Sequence, residues 1–84
     1  MDSEALRVEL RRFIKQNFIF DDNRSIEDGQ SLLGTGVVDS TGILELIGFL
    51  EEKLQLRFAD SELTAENFDS VDKIVKLVET KKKP

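Results

Sequence analysis

The chain has 84 residues and a mass of 9.6 kDa, room for one domain around one modest, largely aliphatic core. Cysteine, histidine, tryptophan and tyrosine are all absent, which excludes disulfide staples, thiolate nucleophiles, imidazole acid–base catalysis and Cys/His zinc sites together. The formal charge of −5 opposes binding to nucleic acid and is unevenly spread, +1 over residues 1–20, −10 over 21–72 and +4 over 73–84, so the expected partner is a protein with a basic surface.

In chain order, Leu6, Leu10, Phe13 and Ile14 fall on one helical stripe with Arg7, Arg11, Arg12 and Lys15 largely outside it. With Asp2 or Ser3 as cap, the spacing predicts a helix over about 3–18. Residues 20–38 keep no helical or alternating period and read as a long loop, pinned to the core by Ile26, Leu32, Leu33, Val37 and Val38. From Asp39 onward Ile43, Ile47, Leu50 and Leu54 recur at helical spacing, joined by Leu44, Leu46 and Phe49, which predicts a central helix with a wide apolar face. Gly42 and Gly48 inside it each cost about 1 kcal/mol against Ala, so packing has to hold the element. Gln55-Leu56-Arg57-Phe58 reads as an extended connection, and Asp60, Ser61 and Thr64 offer caps for a short third helix near 62–67. Asp69 or Ser70 caps a last helix striped by Val71, Ile74, Val75 and Val78, with Lys81-Lys82-Lys83 at its dipole's negative end, fraying into solvent. The expected fold is all-α: a small four-helix bundle of three longer helices and one short one, with the long loop crossing between an antiparallel first pair. Residues 1–80 form the single domain and 81–84 a basic tail, with Leu33, Ile47, Leu50 and Ile74 in the core.

Several local patterns resolve into plain structure. Asp21-x-Asn23-x-Ser25 begins like a calcium loop, but Ile26 stands where that loop needs Gly and Leu32 where it needs Glu. Asn23-Arg24-Ser25 is a glycosylation sequon without the secretory signal that would bring it to the machinery. Gly34-Thr35-Gly36 lacks the third glycine of a dinucleotide loop and reads as two permissive hinges. No apolar stretch approaches the roughly 20 residues of a membrane span, and Met1-Asp2-Ser3-Glu4 has no signal-peptide form, so a cytoplasmic monomer is expected.

Asp39-Ser40 stands where the long loop meets the central helix. On those two residues alone, a helix cap is the simplest reading. The same position puts the Ser40 hydroxyl at the positive end of the helix dipole, where a phosphodiester would be stabilised by free N–H groups. Its context is more specific. Leu32, Gly36-Val37-Val38-Asp39-Ser40, Leu44-Glu45-Leu46, Leu50-Glu51-Glu52-Lys53-Leu54, Leu56, Phe58 and Asp60 together resemble the acyl carrier protein family over nearly the whole chain. The resemblance implies that a phosphopantetheinyl transferase attaches the 4′-phosphopantetheine of coenzyme A to Ser40, with Asp39 as cap and electrostatic neighbour. The thiol of that arm would then hold an acyl or aminoacyl thioester passed from a loading enzyme to downstream transferases, which accounts for a chain without cysteine. It also implies that Thr41, Glu45, Glu51 and Glu52 on the central helix face basic patches of those enzymes.

Thr41-Gly42 stands where many fatty-acid synthesis carriers have Leu and an acidic residue. Asp39-Ser40-x-Gly42, Ser61-Glu62-Leu63 and Asp69-Ser70 through Lys73-Ile74 are more similar to stand-alone D-alanyl and aminoacyl carriers, the other expectation being a dedicated acyl carrier of a specialised lipid, polyketide or peptide pathway. The apolar face of Ile43, Ile47 and Leu50 with Leu33 and Val71 serves either as core or as shelter for an apolar cargo. The expected function is carriage, not catalysis. The alternative from another class is an acidic helical interaction module without a prosthetic group, with Asp39-Ser40 only a cap.

Overall fold

A computed structural model of the chain describes residues 2–19 and 26–82. Among them the structure is all-helical: α1 (Ser3–Phe18), α2 (Ser40–Leu54) and α3 (Val71–Lys82), with single 3₁₀ turns at Asp60–Glu62 and Glu66–Phe68 and no strand. The calcium-like and sequon spacings at 21–25 lie outside the described residues.

Each helix starts on the cap its sequence offers. Asp2 Oδ1 accepts from the Ala5 N–H at 2.8 Å, Asp39 Oδ1 from Gly42 at 2.7 Å and Ser70 Oγ from Lys73 at 3.1 Å. Leu6, Leu10 and Ile14 of α1 meet Ile43, Leu46 and Leu50 of α2 and Val71, Ile74, Val75 and Val78 of α3 in one core, into which the loops send Ile19, Leu32, Val37, Val38, Phe58 and Phe68. α1 and α3 approach most closely at the backbone, whereas α2 is tied to α1 through aromatic side chains. Phe13 stacks on Phe49 with centroids 4.2 Å apart and meets Phe18 edge-on at 6.0 Å.

α2 ends at Gln55, in the left-handed region at φ 54°, with its side-chain amide donating to the Glu52 carbonyl at 2.9 Å. The extended connection 56–59 follows as expected, fixed by the Phe58 N–H donating to Glu51 Oε2 at 3.1 Å. Phe58 packs edge-on against Phe68 at 5.2 Å beneath the Lys81 ammonium, which pairs with Glu62 at 2.8 Å. Lys81 and the Ala59 N–H hold the Glu62 carboxyl below the usual glutamate range.

Four details depart from the sequence reading. The short helix expected near 62–67 is replaced by the two 3₁₀ turns, because the apolar positions there, Leu63 and Phe68, are too few and too far apart to bury a helical face. α3 runs on through Lys82, and Lys81 is anchored on Phe58 and Glu62 instead of fraying. Leu50 and Ile74 are fully buried, but Leu33 and Ile47 only partly; Leu32, one residue earlier, takes the core place in the loop. Leu44 is not part of the apolar face at all, being 68% exposed. No helix among the described residues is long and apolar enough to cross a membrane.

Candidate functional site

Residues 26–38 form an ordered loop that presents the head of α2, held from both sides by carboxylates. On the α3 side, Asp69 receives the Leu33 N–H on Oδ1 at 2.9 Å, the Ser31 hydroxyl on Oδ2 at 2.8 Å and the Leu32 N–H on its main-chain oxygen at 2.6 Å. Burial pushes the Asp69 carboxyl upward, but the Leu33 N–H, the Ser31 hydroxyl and nearby Lys73 together outweigh it and hold the group below the usual aspartate range. On the α1 side, Asp28 accepts from Arg7 at 2.9 Å and from Arg11 at 2.6 Å, Arg7 also engages Asp72, and the Asp72 N–H donates to the Asp28 carbonyl at 2.9 Å. Burial likewise works to raise Asp28, and the two guanidinium groups overcome it and lower it.

Within the loop, Gly34 N–H donates to Ser31 Oγ at 2.8 Å, Gly36 takes a positive φ of 76°, and the Val38 N–H closes onto the Leu32 carbonyl at 3.1 Å. Gly36 is therefore one of the two hinges in fact, whereas Gly34 sits close against Ser31. The chain then turns into α2 at Asp39. Its carboxylate holds the Gly42 N–H and its carbonyl the Ile43 N–H, leaving the N–H groups of Ser40 and Thr41 without a partner among the described residues. Ser40 is the first residue of α2, exposed, and its hydroxyl makes no hydrogen bond among the described residues.

Gly42 explains how closely this turn is seated. A Cβ there would lie 2.7 Å from Val38 Cγ1 and 2.9 Å from Phe18 Cε1, so any other residue would push α2 away from the loop or from α1. The sequence shows that glycine only as a cost to helix propensity.

The expected partner-facing residues divide. Thr41, Glu45 and Glu52 are exposed and, at 100° per residue, lie along one stripe beside Ser40; neither carboxylate has an ion partner among the described residues. Glu51 does not belong with them: it is half-buried and its carboxylate fixes the Phe58 N–H. Sequence reasoning missed Leu44, which sits one turn beyond Ser40 on the exposed side. The signal was its angular offset from the Ile43, Leu46 and Leu50 stripe, hidden by counting Leu44 into the wide apolar face. Ile43, Leu50 and Val71 are taken up in the core, with Leu33 and Ile47 packed against it. Compared with known proteins, the chain matches no family model and no curated sequence.

The donor set at Ser40 suits a phosphodiester. Two N–H groups without a partner among the described residues and the positive end of the α2 dipole could receive an anion, the Ser40 hydroxyl is exposed, and the neighbouring Asp39 carboxylate is engaged with the Gly42 N–H. Among the described residues no cluster of His, Cys, Asp or Glu could hold a metal ion.

Proposed function

We propose that the chain is a carrier protein, bearing a 4′-phosphopantetheine arm from coenzyme A on Ser40 and presenting a thioester-linked acyl or aminoacyl group to successive enzymes. The observation that carries this reading is the exposed Ser40 hydroxyl, without a hydrogen-bond partner among the described residues, on an Asp39-capped helix head that follows a loop tied down by Asp69 and Asp28. In this reading, the three helices and the turns at 60–68 would form a carrier-like bundle with a pair of 3₁₀ turns in the place of the short helix.

The arm supplies the thiol that the chain itself lacks. The protein's residues do the rest. Asp39 keeps the first turn of α2 wound whether or not Ser40 is modified, the Ser40 and Thr41 N–H groups receive phosphate oxygens, and Gly42 fixes how far the helix head stands from the loop. Thr41, Glu45 and Glu52 form the face on which a basic-surfaced phosphopantetheinyl transferase, a loading enzyme and downstream transferases dock in the cytoplasm. The chain performs no catalysis of its own.

Intact mass after incubation with a phosphopantetheinyl transferase and coenzyme A tests the reading. The chain should gain the mass of one phosphopantetheine, and Ser40→Ala should gain nothing while keeping its helical circular dichroism, since the Asp39 cap remains. Labelling that persists in Ser40→Ala, or maps to Ser3, Ser25, Ser31, Ser61 or Ser70, would overturn it. An unmodified wild-type chain would instead favour the interaction module without a prosthetic group.

A further inference from the structure

α2 contains two glycines at interior positions, where glycine is a poor helix former, and the fold requires only one of them. Gly42 has no room for a side chain. At Gly48 an added Cβ would meet nothing within 4 Å, and its φ is not in the left-handed region, so neither packing nor backbone conformation requires glycine there. Gly48 is exposed, and its bare backbone borders a shallow groove lined by Glu51, Glu52, Gln55, Leu56 and Arg57.

The position is telling. Ser40, Leu44 and Gly48 follow at four-residue spacing, so they share one line along the exposed side of the helix, with Gly48 about 12 Å from Ser40 by helical rise. Leu44, between them, is the most exposed of the large apolar side chains among the described residues, at 68%. The line thus reads as anchor, apolar knob, hollow, with Leu56 the one apolar side chain lining the hollow and Glu45 and Glu52, which have no ion partner among the described residues, along its flank. An enzyme that lies along α2 to reach Ser40 covers all of it.

We infer that Gly48 is a specificity-determining seat: it receives a bulky apolar side chain from a partner whose rim is basic, and that side chain packs between Leu44 and Leu56. Two features set the chemistry of the occupant. Removing Leu44 from water requires an apolar contact, and the carboxylates of Glu45 and Glu52 require cations beside it. A glycine allows the closest approach of a partner to the helix backbone, so a side chain at 48 would exclude enzymes built for the hollow. This inference rests on the carrier reading, because modification of Ser40 is what brings the partner to this face.

The test uses the full chain, a phosphopantetheinyl transferase and coenzyme A, with kcat/KM and thermal midpoint measured for wild type, Gly48→Ala, Gly48→Leu, Leu44→Ala and Lys76→Leu, the last adding an apolar residue at an exposed site on α3. Both Gly48 variants should melt above wild type, since they gain helix propensity without a clash. Gly48→Leu should lose about tenfold in kcat/KM, chiefly through KM, with smaller losses for Gly48→Ala and Leu44→Ala and none for Lys76→Leu. Wild-type kcat/KM in Gly48→Leu would overturn the inference and leave the carrier reading intact. A lowered midpoint in both Gly48 variants would also overturn it, by showing that the fold itself needs the glycine. A wild-type chain that is never modified would overturn the carrier reading first.

Discussion

Two sets of carboxylates in this small acidic protein behave in opposite ways. Asp28 and Asp69 face inward from the loop and from the head of α3, each accepting from two or more donors on other elements. Glu45 and Glu52 project from α2 without an ion partner among the described residues. The −10 balance of residues 21–72 counts both sets alike, yet only the second is available to another molecule. A charge count therefore overstates the field a partner meets and conceals how much of it secures the loop that carries Ser40.

The strongest test of this division is to remove one member of each set. Asp69→Ala leaves the Leu33 N–H and the Ser31 hydroxyl without their acceptor and should cost about 2 kcal/mol in urea unfolding, while Glu52→Ala should stay within about 0.5 kcal/mol. Equal costs would mean that the inward set does not hold the fold. A finer measurement follows from acid. Asp28 and Asp69 both titrate below their ordinary range in the folded chain, so their contribution is present above the unfolded value of about 3.9 and is lost as pH falls through and below it. Urea midpoints should be nearly flat from about pH 7 to 5 and drop below about pH 4. The drop should be shallower in Asp69→Asn, which keeps an acceptor for Leu33 but no titration; identical slopes would show that Asp69 does not carry the effect.

The outward set is tested by charge reversal and should move stability least. Glu45→Lys with Glu52→Lys should leave the urea midpoint nearly unchanged yet lower transferase efficiency several-fold at low salt. The deficit should shrink as salt shortens the screening length to about 8 Å. Glu51 is left out because its reversal would also release Phe58. Glu4→Lys with Glu66→Lys, exposed and away from α2, is the control, and a deficit of equal size there would remove the special role of this face.

The three long helices were legible because each carries its own evidence: an apolar stripe at helical spacing and a capping residue at its head, Asp2, Asp39 and Ser70. The place of Ser40 at the head of α2 was legible for the same local reason. What was not legible is non-local. Nothing near Asp28 in sequence announces Arg7 and Arg11, and nothing near Asp69 announces Ser31 and Leu33. Gly42 showed only its cost, since Val38 and Phe18, which crowd it, close on it only in the folded chain. Glu51 and Glu52 are adjacent and chemically alike, and only the course of the chain through Phe58 separates a structural carboxylate from an exposed one.

The ties that seat the loop join residues far apart in order of synthesis: 36 positions separate Leu33 from Asp69 and 65 separate Arg7 from Asp72. α2 and its Asp39 cap depend on neighbours and can wind early, and Asp28 can already meet Arg7 and Arg11, but the α3 side of the loop has nothing to close upon until the last quarter of the chain exists. Ser40 thus leaves the ribosome long before its surroundings are complete, and a transferase that reads the seated loop has to wait for them. In a series of stalled nascent chains of increasing length, modification should appear only once Asp69 and Asp72 have cleared the exit tunnel. Efficient modification of shorter chains would show that α2 alone suffices for recognition.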